Sequence, residues 1–150
     1  MSEKKRAPAL MDEYPILVYP SLAVAELNDI QKRIKQANIR AVQKGCIGDL
    51  TIEQWLYTLD WFSDKTGEYQ CAYCGSVERA MNLTIEHFVP LSMHGNTTMT
   101  NCIPSCHECN SLKGAKHGDY FLKVLIERYR STRAEQSQKR IFAYIKGLAS

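Results

Sequence analysis

Apolar positions along this chain follow two different periods, and the change between them marks its parts. Leu27, Ile30, Ile34, Ala37 and Ala41 recur at helical spacing, so one stripe of a long helix faces a core. Ser21 stands where it can N-cap that helix and Gly45 where it can end it. Lys32, Arg33, Lys35 and Arg40 lie mostly off the stripe, which makes them solvent-facing. A second helix opens at Thr51, whose partner Gln54 completes a capping-box pattern. Trp55, Leu59 and Phe62 then share one face, and with Trp61 they read as core.

The period next falls to two. Leu83-Thr84-Ile85-Glu86-His87-Phe88-Val89 is a β-prone run stopped by Pro90, because proline cannot donate to a ladder. A helix starts around His107 and carries Asn110 and Lys113 on adjacent turns before Gly114 interrupts it. Asp119 can cap a further helix with Phe121, Leu122, Leu125, Ile126 and Tyr129 inward; a last helix carries Ile141, Phe142, Ile145 and Leu148. At the other end, Met1 to Ala9 holds too little apolar content to fold and is expected to be a mobile arm. Tyr14 to Pro20 is apolar but bracketed by prolines, so an extended packed segment is expected there. The pattern as a whole predicts a mainly α protein with a small β-hairpin.

Composition narrows the class. With 150 residues, 45% hydrophobic and 23% charged, the chain can bury one modest core, and a single domain over 1–150 is expected. No apolar run approaches the roughly 20 residues a membrane helix needs, and the N-terminus lacks the apolar stretch of a signal peptide. The expected location is cytoplasmic, with no membrane partner.

Six cysteines change the picture more. Cys71 and Cys74 form one C-x-x-C and Cys106 and Cys109 another, the spacing that places four thiolates around one structural zinc. Paired knuckles without an export signal fit zinc in a reducing compartment better than a disulfide framework. Cys46 and Cys102 are left over and read as small buried apolar residues. Net charge is only +3, but residues 1–110 carry 10 basic and 13 acidic side chains, whereas 111–150 carry 9 basic and 3 acidic. A basic C-terminal part attracts a polyanion. Lys116, Arg128, Arg130 and Arg133, with Lys139 and Arg140, are the candidate duplex-contacting residues there.

Between and beside the knuckles stand Glu86-His87, Asn101, and Asn110 within C-x-x-C-N-x-x-K-G. In that order they resemble the HNH nucleases, whose site is a ββα-metal (His-Me finger) hairpin and helix. The resemblance covers about residues 50–115, including the run L-T-I-E-Q-W-L ahead of the first knuckle. It implies a ββα-metal core over 67–118 with the four-cysteine zinc site, a helical part over 10–66 and basic helices over 119–150.

The resemblance also implies roles. His87 falls on the general base that activates water against a phosphodiester. Glu86, where aspartate is commoner, and Asn110, in place of the last histidine, fall on the ligands of a catalytic divalent metal, Mg2+ or another, making an H-N-N variant. Asn101 orients the base by bonding backbone in the connecting loop, and Lys113 is placed for a phosphate oxygen. The expected activity is metal-dependent hydrolysis of DNA, with DNA and phage or mobile-element DNA-processing proteins as partners. The alternative is a non-catalytic zinc module that binds nucleic acid or protein.

Strand geometry sets one condition on this reading. Adjacent residues of a strand face opposite ways, so Glu86 and His87 can share a site only where the pairing breaks, at Pro90 and the polar loop that follows. His94 and His117 read as surface residues, and His107 as the start of the metal-site helix rather than a fifth zinc ligand.

Overall fold

The computed structural model describes residues 22–64, 66–129 and 132–149. The arm at Met1 to Ala9, the segment Tyr14 to Pro20, Ser21 and Arg130 lie outside them; the expected cap at Ser21 is not the one used, since the N-cap of the first helix is Ala23, with no side-chain hydrogen bond there. Helix α1 (Val24–Gln43) buries Ile30, Ile34, Ala37 and Ala41, and Gly45 follows at φ +76°, a left-handed turn that suits glycine. Helix α2 (Ile52–Trp61) opens on the expected capping box: the Gln54 N–H donates to Thr51 Oγ1 at 3.1 Å and the Thr51 N–H to Gln54 Oε1 at 3.0 Å. Its Trp55 and Leu59, with Phe62 just beyond, are buried.

Strands β1 (Thr84–His87) and β2 (Cys102–Ser105) form an antiparallel pair in which Glu86 faces Ile103 and His87 faces Cys102. Pro104 is tolerated because the sheet has two strands and its missing donor faces no third. Helix α3 (His107–Lys113) follows β2 at once, completing a ββα unit. Helices α4 (Gly118–Tyr129) and α5 (Thr132–Ala149) close the chain. The architecture is mostly helical with one two-stranded hairpin. Among the described residues no helix is long and apolar enough to cross a membrane.

One buried apolar cluster joins these elements, from Ile30 and Ile34 of α1 through Trp55 and Leu59 of α2 to Phe121 and Leu122 of α4 and Ile141 and Tyr144 of α5. Tyr144 meets Trp61 and Phe62 edge-on or tilted, at centroid distances of 5.1 and 5.2 Å, and its buried hydroxyl reaches Thr58 Oγ1 at 2.6 Å. Phe88 and His117 stack edge to face at 5.4 Å, and His117 Nδ1 accepts the Asp119 N–H at 3.0 Å. His117, expected at the surface, is therefore half-buried as a cap for α4, because Phe88 offers it an apolar wall.

The turn after α1 is tied back onto it. Asn38 donates from Nδ2 to the Leu50 carbonyl at 2.9 Å and accepts the Leu50 N–H on Oδ1 at 3.1 Å. Gly48 passes so close to the Asn38 backbone that a Cβ there would collide with it. Asn38→Ala should cost about 1–3 kcal/mol, since it removes both bonds and takes from the Leu50 carbonyl the donor that the side chain supplied; the midpoint of urea unfolding reads the loss.

Candidate active site and zinc centre

The four sulfurs of Cys71, Cys74, Cys106 and Cys109 all lie within 4.8 Å of one another. Each knuckle shapes itself: the Cys74 N–H points at Cys71 Sγ at 3.5 Å and the Cys109 N–H at Cys106 Sγ at 3.4 Å. Gly75, at φ +74°, lets the first knuckle fold back so that its N–H reaches the Cys71 carbonyl at 2.9 Å. Hydrogen bonds from Cys109 and Cys71 hold the Cys74 thiol far below the ordinary range, while bonds from Cys71 and Cys74, then burial, push Cys109 far above it. Sulfurs this close cannot all ionise without a cation among them, and four thiolates at C-x-x-C spacing suit zinc. Cys102 is fully buried, and burial pushes its thiol up.

Glu86 and His87 point different ways, as strand period requires. Glu86 faces inward, 4% exposed. Its Oε2 accepts the Tyr73 hydroxyl at 2.6 Å and its Oε1 meets Lys113 Nζ at 2.7 Å. Burial pushes the Glu86 carboxyl up, against the pull of Lys113 and Tyr73; burial and then the Glu86 charge push the Tyr73 phenol well up. Lys113 also donates to the His87 carbonyl at 3.0 Å, and only 1% of it is exposed. The expectation that Lys113 reaches out to a phosphate is thus not met here: α3 packs its ammonium against β1, where an unpaired Glu86 carboxylate would be costly. Glu86 and His87 are not brought to one face.

His87 is half-buried at the end of β1. Its Nε2 lies 2.7 Å from Thr97 Oγ1. Nδ1 has no hydrogen-bond partner among the described residues. Burial, then the positive charges of Arg40 and Lys113, lower its pKa from 6.5 to about 4. Arg40, read from the stripe as merely solvent-facing, is exposed but near enough to act on this ring. Only the tertiary approach of α1 to β1 reveals that, and no spacing signals it.

Asn101, 8% exposed, clamps the loop after β1. Its Oδ1 accepts the Val89 N–H at 2.8 Å, and its Nδ2 donates to the carbonyls of Val89 at 2.9 Å and Asn96 at 2.8 Å. Asn110 lies on α3, half-exposed, with no side-chain partner among the described residues. A divalent cation prefers such amide and carboxylate oxygens. Asn110 offers one freely, whereas Glu86 Oε1 is engaged by the Lys113 ammonium, so a cation shared by the two requires Lys113 to move.

The proposed duplex surface divides. Lys116, Arg128 and Arg133 are exposed. The Arg133 guanidinium crosses Gly75, filling the space a Cβ would take. Arg140 is committed to the Phe62 carbonyl at 2.7 Å and to Gln70 Oε1 at 3.3 Å. His94 is exposed at φ +62°, and His107 is exposed at the start of α3.

Comparison with known proteins bears on this span. Residues 71–126 match a family described as HNH endonuclease. The chain is 46% identical over 46 residues to the CRISPR-associated endonuclease Cas9 of Corynebacterium diphtheriae, a stretch that is 30% of this chain. The chain covers only 4% of that relative's length. No solved structure gives a significant match. The likeness to HNH nucleases carried by Glu86-His87, Asn101 and Asn110 is thus found over the ββα unit and the first turns of α4.

Two outcomes are expected. Cys109→Ser should lose both bound zinc, measured by metal analysis, and the cooperative thermal transition, because a structural zinc site contributes folding energy outright. His87 has a folded pKa below its unfolded 6.5, so the unfolded ring takes up its proton first. Its contribution to stability is full above 6.5 and drains away as pH falls toward about 4. Denaturation across that window should show a shallower pH dependence in His87→Gln.

Proposed function

We propose that a chain whose residues 71–126 match HNH endonucleases is itself a metal-dependent endonuclease that hydrolyses phosphodiester bonds in DNA. The observation that carries this reading is the placement of His87: an imidazole with Nε2 held 2.7 Å from Thr97 Oγ1, on a hairpin whose outgoing loop Asn101 clamps. Only a neutral ring can accept a proton, and a pKa near 4 keeps it neutral throughout the physiological range.

In this mechanism His87 takes the proton of a water attacking phosphorus. Asn101 keeps the loop from Val89 to Asn96 in place, so that the imidazole stays aimed. A divalent cation, Mg2+ or another, would be held by Asn110 and Glu86 and would supply positive charge against the oxyanion that develops on the leaving oxygen. A cation held at Glu86 Oε1 would take the place that the Lys113 ammonium fills at 2.7 Å. Lys116, Arg128 and Arg133, in a C-terminal part carrying 9 basic and 3 acidic side chains, supply a surface for the backbone phosphates.

Supercoiled plasmid incubated with the zinc-loaded protein and magnesium should be nicked or linearised. His87→Ala should lose about two to four orders of magnitude in rate, the usual worth of a positioned base, while still binding DNA. Asn110→Ala should need far more magnesium for the same rate. The acidic limb of the pH-rate profile should sit below the ordinary histidine range. Cleavage by His87→Ala at the native rate would exclude it as the base, and binding without cleavage by the native protein would leave the zinc-module alternative.

A further inference from the structure

A threonine outside the expected constellation touches the proposed base directly. Thr97 is fully buried. Its hydroxyl lies 2.7 Å from His87 Nε2 and 3.2 Å from the Ala37 carbonyl of α1. A hydroxyl has one proton to give, whereas a carbonyl can only accept. If Thr97 donates to Ala37 and accepts from Nε2–H, both contacts are hydrogen bonds. If it donates to Nε2 instead, two oxygens face each other in the interior with no proton between them. Only the first arrangement puts a proton in both short contacts. In it the neutral ring carries its proton on Nε2 and keeps the lone pair on Nδ1.

Thr97 is itself fixed, from the N-terminal part of the chain. Its N–H donates to the Ile47 carbonyl at 2.8 Å, and its carbonyl accepts from Asp49 at 3.1 Å and Leu50 at 3.2 Å. The neighbouring Asn96 accepts the Ile47 N–H at 2.9 Å. Asn38 binds Leu50 back to α1, so the Thr97 backbone is held against the turn around Gly48. Apart from Asn96, these supports lie before residue 71, outside the stretch that matches the HNH family.

We propose that Thr97 is a positioning residue, whose hydroxyl, backed by the Ala37 carbonyl, holds His87 in the tautomer that leaves Nδ1 free to accept a proton. The proposal rests on the nuclease reading only for its effect on rate; the tautomer is a property of the protein alone. The charged groups that act on the ring are Arg40 from α1 and Lys113 from α3, both positive.

The test is 15N–1H correlation of the imidazole rings at neutral pH in the zinc-loaded protein, with a His87→Gln sample identifying the His87 signals among the four histidines. The native protein should show Nε2 protonated and Nδ1 bare. Thr97→Val, close in shape but unable to accept, should shift His87 toward a tautomer mixture, and Thr97→Ser should restore the native pattern. With plasmid substrate, kcat of Thr97→Val should fall about 10- to 100-fold, the scale of losing a partner that orients a histidine, with KM little changed and Thr97→Ser near native. A native spectrum with the proton on Nδ1 overturns the proposal and needs no variant to fold. So does a folded Thr97→Val protein with native tautomer and native kcat. The expected tautomers in a protein that cuts no DNA overturn the nuclease reading and leave the role of Thr97 standing.

Discussion

Four sulfurs drawn within 4.8 Å of one another are the constraint on which everything else in the site depends. A two-stranded hairpin of four-residue strands is at best marginal in water, and a helix as short as α3 would not persist alone. Each would borrow order from a metal held by the four cysteines. The second knuckle lies at the junction of β2 and α3, and the first is sewn to the same strand by the Ala72 N–H on the Pro104 carbonyl at 2.8 Å. The cross-link therefore fixes the angle between hairpin and helix, which decides where Asn110 stands relative to β1.

Beneath that clamp lies a polar core layer. Tyr73 from the first knuckle, Glu86 from β1 and Lys113 from α3 meet with almost no exposure. A buried carboxylate and ammonium cost much to desolvate and repay it only in good geometry. This one adds a phenol and a backbone carbonyl as further partners. The trio works as a registration device: it accepts only one relation of knuckle, strand and helix. It also keeps a cation beside Glu86 in the absence of metal, so the carboxylate stays poised to hold positive charge.

Much of this could be read from residues alone. The stripe of α1, the capping box of α2 and the knuckles follow from period, spacing and local hydrogen bonding, which act over a few residues; the ββα order came with the resemblance to HNH nucleases. Asn101 was legible through its place in the family pattern. The rest depended on distance in space. Lys113 looked like an outward cation because a helix wheel cannot say that β1 lies under it. Nothing around Thr97 in the sequence points to Ala37, since that contact is made by two segments 60 residues apart. His117 seemed a surface residue because its wall, Phe88, comes from another element.

Exposure around the cluster is uneven. Cys71, Cys106 and Cys109 are buried, and Cys74 is exposed, with the Arg133 guanidinium lying across the adjoining Gly75. A chelator or oxidant approaching from solvent meets that sulfur before the other three. The lock that sets the angle of hairpin and helix thus has a single keyhole, beside a side chain from α5. Whatever covers or uncovers that corner governs how long the metal stays, and with it how long the site keeps its shape.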